Sequence, residues 1–274
     1  MKRFPYYVKL GIIGLGALSM LFPLVITIST SLKLSGAEIS WPPTLIPKPV
    51  VWKNYLEVWT IVPFLTFLKN SCIITAFNMV GRLFSSLLIG YAFARLRFPG
   101  RDALFMVCIS TMMLPSVVTL IPTFVLFRML GWVDTLLPMI VPTYFGSAFL
   151  IFLSRQFLSA LPMEYDEAAR IDGANTLQIW WKIIIPSSVP LIVTILIYSF
   201  IWDWNDFMGP LIYLQSHEKY TLALGLRSFM GYISFAWNHL MAGTMIMIIP
   251  VLIVFFFAQR YFIEGMTMSG LTGR

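Results

Sequence analysis

Met163-Glu164-Tyr165-Asp166-Glu167-Ala168-Ala169-Arg170-Ile171-Asp172-Gly173-Ala174-Asn175-Thr176-Leu177-Gln178-Ile179-Trp180-Trp181-Lys182-Ile183-Ile184-Ile185-Pro186 is the one long charged stretch in an otherwise apolar chain. Glu164, Asp166 and Glu167 follow Pro162 in what reads as a first helical turn, where carboxylates complement the positive end of the helix dipole. Gly173 is placed to end that helix in a left-handed cap. Asn175, with Gln178 three residues on, forms the pattern of a capping box that starts a second short helix running toward Pro186. The spacing therefore predicts a helix–turn–helix lying along a membrane surface, in a loop covering 159–182. A charged island of this kind, set between apolar runs, reads as a docking element for a soluble partner.

Outward from this island the chain is membrane-like. Of its 274 residues 58% are hydrophobic and only 11% charged, against about 25% charged in an ordinary soluble domain. A helix needs about 20 apolar residues to cross the hydrocarbon. Six runs meet that length: 10–32, 70–94, 103–127, 135–158, 183–206 and 237–259, the second only if Arg82 near its centre is tolerated. The expectation is an all-α, polytopic membrane protein with one transmembrane domain over 1–274. Lys2, Arg3 and Lys9 precede a first run too long for a signal-peptide core, so it is read as a retained anchor. Arg95, Arg97 and Arg101 crowd the second loop, and Arg155, Arg170 and Lys182 the fourth; by the positive-inside rule these loops and both termini face the cytoplasm. The short tail, residues 264–274, then lies on the same side.

Several chemistries are absent. The sequence has no GxxxxGK[ST], HExxH or GxSxG, and His217 and His239 are far apart. Cys72 and Cys108 fall in different spans without metal-ligand spacing and read as small core residues. Gly11, Gly14 and Gly16 read as close helix packing in the first span. The net charge of +7 is spread along loop edges rather than clustered with aromatics, which argues against nucleic acid. Prolines 42, 43, 47 and 49 in the first external segment, 33–65, favour an extended strap. With no catalytic or nucleotide motif on the chain, any uphill transport must draw on an ion gradient or another subunit.

Glu167-Ala168-Ala169, Gly173 and Ile183-x-Ile185-Pro186 resemble the EAA motif of the membrane subunits of binding-protein-dependent ABC importers, departing only by Ile185 for leucine. A second set narrows the resemblance. Asn70-Ser71, Gly90-Tyr91-Ala92-Phe93-Ala94-Arg95-Leu96-Arg97-Phe98-Pro99-Gly100, Leu130-Gly131-Trp132-Val133-Asp134-Thr135, Asp172-Gly173-Ala174 and Trp204-Asn205-Asp206-Phe207 look like the six-helix carbohydrate permease of the maltose type. The resemblance implies an ABC type I importer permease fold in the cell (inner) membrane. It also implies the partners: a second homologous permease, two copies of a cytoplasmic ATPase and an extracytoplasmic solute-binding protein. No cofactor is expected on this chain, ATP and magnesium belonging to the ATPase. Glu164, Asp166, Glu167, Ala168, Ala169, Asp172, Gly173, Ile183 and Pro186 are the expected coupling residues, and a sugar is the expected cargo. An ion-coupled secondary transporter and an ABC permease for glycerol phosphate are the alternatives.

Arg82 would cost about 2.5–3.5 kcal/mol near a bilayer centre unless it faces protein or water. It is read either as a lining or gating residue paired with an acid, or as a structural donor to carbonyls. Asp203 and Asp206 flank Trp204-Asn205; with Arg82, the residues Trp204, Asn205 and Asp206 make up the expected solute path, since sugar hydroxyls need aromatic faces and amide or carboxylate partners.

Overall fold

Prolines and glycines set where the helices break. The computed structural model describes residues 6–37, 44–231 and 236–271, with side chains over 7–37, 44–231 and 236–259. In chain order these form α1 (Tyr6–Ser31), α2 (Lys53–Ile61), α3 (Phe64–Arg95), α4 (Arg101–Ser110), α5 (Ser116–Met129), α6 (Leu137–Ile140), α7 (Ala148–Ala160), α8 (Glu164–Ile171), α9 (Thr176–Ile179), α10 (Ile185–Ser187), α11 (Val189–Trp204), α12 (Met208–Tyr213), α13 (Leu222–Gly225) and α14 (Trp237–Leu271). Short 3₁₀ turns join several of them, and one π segment, Trp180–Ile184, joins α9 to α10.

Leu114 is extended, as a residue before proline is sterically driven to be, and Pro115 opens α5, so Arg101–Met113 and Ser116–Met129 meet at 99°. Thr176–Ser187 and Val189–Trp204 meet at 80°, with Pro190 in the first turn of α11. At this second bend Ser187 and Ser188 donate to the carbonyls of Ile183 and Ile184, both at 2.7 Å, which supplies partners for helix carbonyls beside the break. Tyr7–Ser31, Phe64–Arg95, Leu137–Ala160 and Trp237–Gln259 are each long and apolar enough to cross a membrane, and the count reaches six if each bent pair forms one span. The expected runs 103–127 and 183–206 are thus both bent, the first at Pro115, where the sequence already places a kink.

The helices divide into two compact units. The first draws on Met1–Phe67 and Leu222–Leu252. Here the structure corrects the expected strap: α2 is helical because no proline falls between Pro49 and Pro63, and Asn54 and Val58, four residues apart, turn one face inward. Asn54 Nδ2 donates to the carbonyls of Ser31 and Lys33 at 2.8 Å, and Asn238 Nδ2 donates to Asn54 Oδ1 at 3.2 Å. Glu57 accepts from Lys53 and pairs with His239, whose Nε2 lies 2.9 Å from its Oε2. Trp41-Pro42-Pro43 lies outside the described residues. Residues 7–23 of α1 are all exposed, and a Cβ at Gly11, Gly14 or Gly16 would meet nothing within 4 Å, so the close packing expected there is not made among the described residues.

The second unit comprises Leu68–Thr221 with Ile253–Arg274. Its core gathers Leu87 and Tyr91 of α3, Leu150 and Leu158 of α7, and Leu191 and Ile195 of α11 around Ala169, Ile179, Trp180 and Ile184 from the charged stretch. Burying a large apolar side chain is worth about 1.5–3 kcal/mol, so the charged stretch is anchored by its own apolar residues. A Cβ on Gly90 would overlap Ser154 Cβ and sit 3.2 Å from the Arg155 nitrogen, which means α3 and α7 cross backbone to backbone. Cys72 is exposed and Cys108 half-buried, correcting the core reading of both. The backbone of α14 stays helical through Leu271; of the expected tail, only 272–274 lie outside the described backbone.

Candidate functional site

In the charged stretch, α8 carries Glu164, Asp166 and Glu167 in its first turn and Arg170 in its last. Gly173 has φ 81°; its N–H donates to the Arg170 carbonyl at 3.0 Å and the Ala174 N–H to the Ala169 carbonyl at 2.9 Å, the paired bonds of a Schellman cap. Asn175 Oδ1 accepts from the Gln178 N–H, and Gln178 Oε1 from the Asn175 N–H, both at 2.9 Å, closing a capping box at α9.

The faces of this helix pair are distinct. Glu164, Glu167, Ala168, Asp172, Gly173 and Pro186 are exposed, Ile183 is half-buried, and Ile171, Leu177 and Trp181 present bare apolar surface, Ile171 at 87% exposure. Glu164, Glu167 and Asp172 make no ion pair among the described residues. Asp166 and Ala169, expected with the docking residues, point inward instead. They are three apart and so share a face, the one that meets α3. Asp166 Oδ2 lies 3.4 Å from Arg95 Nη1, both side chains being at most 1% exposed, and the Tyr91 hydroxyl donates to Asp166 Oδ1 at 3.4 Å. Arg95 Nη2 also donates to the Leu161 carbonyl at 2.7 Å, just past α7, and Nη1 to that of Pro162 at 3.4 Å. Arg95 of this anchor, with Arg97, Phe98, Met163, Glu167 and Arg170, borders an open groove of about 600 Å³.

A second cluster lies within the spans. Arg82 Nη1 is 2.7 Å from Asp203 Oδ2, with side chains 15% and 7% exposed, and the Arg82 guanidinium sits 5.6 Å from the centre of the Trp202 ring. Asn78 Nδ2 donates to Asp203 Oδ1 at 2.9 Å, and Thr143 Oγ1 to Asn78 Oδ1 at 3.3 Å. Arg82 stands thirteen residues before the end of α3 and Asp203 fourteen after the start of α11. At 1.5 Å per residue each is roughly 20 Å from the helix end nearest the charged stretch, well inside a hydrocarbon layer about 30 Å thick. Of the expected path residues, Asn205 is exposed and donates to the Ile201 carbonyl at 2.9 Å, while Asp206 accepts from the Gly209 N–H at 3.1 Å. They occupy a three-residue break, 205–207, between α11 and α12. Trp204 is the exception: it is buried at 3% exposure and stacks on Phe200, one turn earlier in the same span. Asn78 and Thr143 escaped the sequence reading, although Asn78 and Arg82, four apart, share one helix face.

A third cluster joins the turn before α6 to the segment after α12. Asp134, at φ 59°, accepts from the Ser216 hydroxyl at 2.5 Å, from the backbone N–H groups of Ser216 and Gln215 at 2.8 and 3.0 Å, and from Lys219 Nζ at 2.9 Å. The Ser216 hydroxyl first, then those N–H groups and Lys219, hold its carboxyl well below the usual carboxylate range. A depressed folded-state value stabilises the fold above the unfolded value and loses that contribution only as pH falls through the folded one. Asp134→Asn should therefore lower the melting temperature of the detergent-purified protein by a gap constant from pH 8 to about pH 5. A gap that closed already near neutrality would assign the effect to another group.

Sequence and structure comparisons agree with this architecture. The family model of the binding-protein-dependent transport system inner membrane component matches residues 86–268. The chain is 29% identical, over 92% of its length and 91% of the relative's, to the inner membrane ABC transporter permease protein YcjP of Escherichia coli (strain K12). It is 32% identical to the sn-glycerol-3-phosphate transport system permease protein UgpE of Yersinia pestis bv. Antiqua (strain Antiqua), over 93% of each chain. It is also 32% identical to the arabinooligosaccharides transport system permease protein AraQ of Halalkalibacterium halodurans, over 92% and 91%. A crystal structure of a bacterial ABC transporter involved in the import of the acidic polysaccharide alginate superposes with a TM-score of 0.83 at 27% identity, over 96% of this chain and all of that one. This is a polytopic permease subunit of the inner membrane. The chain belongs to the family of binding-protein-dependent transport system inner membrane components, the ABC importer permeases.

Proposed function

We propose that this chain carries a neutral sugar through the inner membrane and is driven by a separate ATPase docked on 159–182. The observation that carries this reading is the two-faced charged stretch: its inner face is packed into the helix core, while Glu164, Glu167, Ala168, Asp172 and Gly173 stand exposed. An exposed carboxylate such as Glu167 suits a charge-assisted contact with a cationic partner. A second homologous permease, two copies of the ATPase and an extracytoplasmic binding protein complete the proposed assembly, with ATP and magnesium bound by the ATPases and both termini of this chain in the cytoplasm. Nucleic acid has no part in it. ATP-driven closure of the ATPases biases the bundle between two openings. The ion-coupled alternative falls, because membership of a binding-protein-dependent family points to partner-driven transport.

Charge favours a neutral cargo. Within the described spans of the second unit Arg82 is the cation remote from any helix end, and Asp203 already neutralises it, with Asp206 at the nearby break. A phosphate or uronate brought there would find no free cation, whereas a hydroxyl-rich neutral solute needs only the amide and carboxylate partners present. The similarity to UgpE supports glycerol phosphate as the second reading. Uptake into proteoliposomes with the cognate binding protein separates them: a neutral oligosaccharide should accumulate and glycerol phosphate should neither accumulate nor compete. Asn205→Ala, removing an exposed amide, should weaken sugar uptake several-fold, since one neutral hydrogen bond is worth about 0.5–1.5 kcal/mol. Unchanged apparent affinity and rate, with the binding protein saturating, would move the path away from the break.

A further inference from the structure

Beside the apolar packing of Ala169, Ile179, Trp180 and Ile184 into the core, two further routes of unequal stiffness join the coupling stretch to the spans. Along the chain it reaches α11 through α9, the π segment Trp180–Ile184 and the 80° bend at Ser188, a jointed path. Through space it reaches α3 at Arg95. From Arg95 back to Arg82 that helix is continuous and contains no proline. One guanidinium there grips two segments at once: the linker after α7, through the Leu161 and Pro162 carbonyls, and Asp166 on α8.

The arrangement is poor value as a stabilising device. Arg95 Nε and Asp166 Oδ2 are buried without a hydrogen bond, and a buried ion pair with unmet donors and acceptors returns less than an apolar pair of the same volume. Buried polar groups left in that state call for another role, and the geometry supplies one. Excluded from water, the pair is electrostatically stiff. A displacement of α8 is passed to the end of α3 and from there, thirteen residues along, to Arg82 and its partner Asp203.

We propose that Arg95 and Asp166 are positioning residues that convert movement of the coupling stretch into tilt of α3. Their loss uncouples ATP hydrolysis from solute movement. This rests on the reading of 159–182 as the ATPase dock and adds the element that receives the motion. Tyr91 holds Asp166 in register from the same helix.

The test uses the complete transporter, this chain with its partner permease, ATPases and binding protein, in proteoliposomes, and reads solute moved per ATP hydrolysed. Asp166→Asn keeps the shape and an acceptor for Tyr91 but removes the charge. It should assemble and hydrolyse ATP while solute per ATP falls at least five-fold. The apolar pair Arg95→Met with Asp166→Leu restores packing without the grip; it should assemble and stay uncoupled even where Asp166→Asn assembles poorly. A wild-type ratio in the apolar pair, or a parallel fall of hydrolysis and uptake at constant ratio in Asp166→Asn, overturns the proposal. Gly173→Pro in the same preparation separates the two claims. If it is uncoupled while the charge variants keep the normal ratio, only the Arg95–Asp166 link falls; if it transports normally, the docking reading falls first.

Discussion

Gly173→Pro should abolish transport while leaving the chain inserted in the membrane. Proline fixes φ near −65°, and Gly173 sits at φ 81°. The substitution also removes the N–H that donates to the Arg170 carbonyl. Among the described residues no side chain lies within 4 Å of where a Cβ would stand, so the effect comes from the backbone, through φ and the lost N–H, and not from a side-chain clash. The turn must open, and the segment from Asn175 to Pro186 is redirected relative to α8. Gly173→Ala, which meets only the left-handed penalty of about 1–2 kcal/mol, should keep part of the activity. Uptake into vesicles and co-purification of the ATPase measure both halves of the expectation; normal rate with normal ATPase binding in the proline variant would remove the coupling role from this turn.

Arg82→Met should be the second severe change. It leaves the Asp203 carboxylate, 7% exposed, with Asn78 but without its cation inside a span. Breaking a buried pair from one side costs about 3–5 kcal/mol, comparable to the whole stability margin of many domains, so little intact complex should be recovered. Adding Asp203→Leu removes the stranded charge. The double variant should regain assembly, yet transport should remain low if the pair borders the route. Full transport in the assembled double variant would reduce Arg82 and Asp203 to a structural link.

What was legible in the sequence was local. The acidic first turn of α8, the Gly173 cap and the Asn175–Gln178 box each depend on residues within three or four positions of one another, and the apolar runs follow from length alone. Arg82 was legible as a cost that demanded a partner, but the choice of Asp203 depends on how α3 and α11 cross. Asp166 misled for the same reason: an acid in a first turn complements the dipole whichever way it faces, and only the distant Arg95 fixes it inward. The size of the bends at Pro115 and Ser188 was hidden, because proline marks where a helix can break without setting the angle. Trp204 reads as a solute-path aromatic from its neighbours in sequence, and its burial against Phe200 shows only once the helix is folded. Helix α2 was masked by nearby prolines that end four residues before it starts.

The central claim is that the exposed face of α8 is where an ATPase engages this permease. A cysteine at exposed Ala168, in a chain carrying Cys72→Ala and Cys108→Ala, tests it through a short bifunctional crosslinker applied to the assembled transporter. The account predicts that the captured chain is the ATPase, and that a cysteine at exposed Thr119 in α5 captures none. An intact, ATP-hydrolysing complex in which Ala168→Cys captures no ATPase would contradict it.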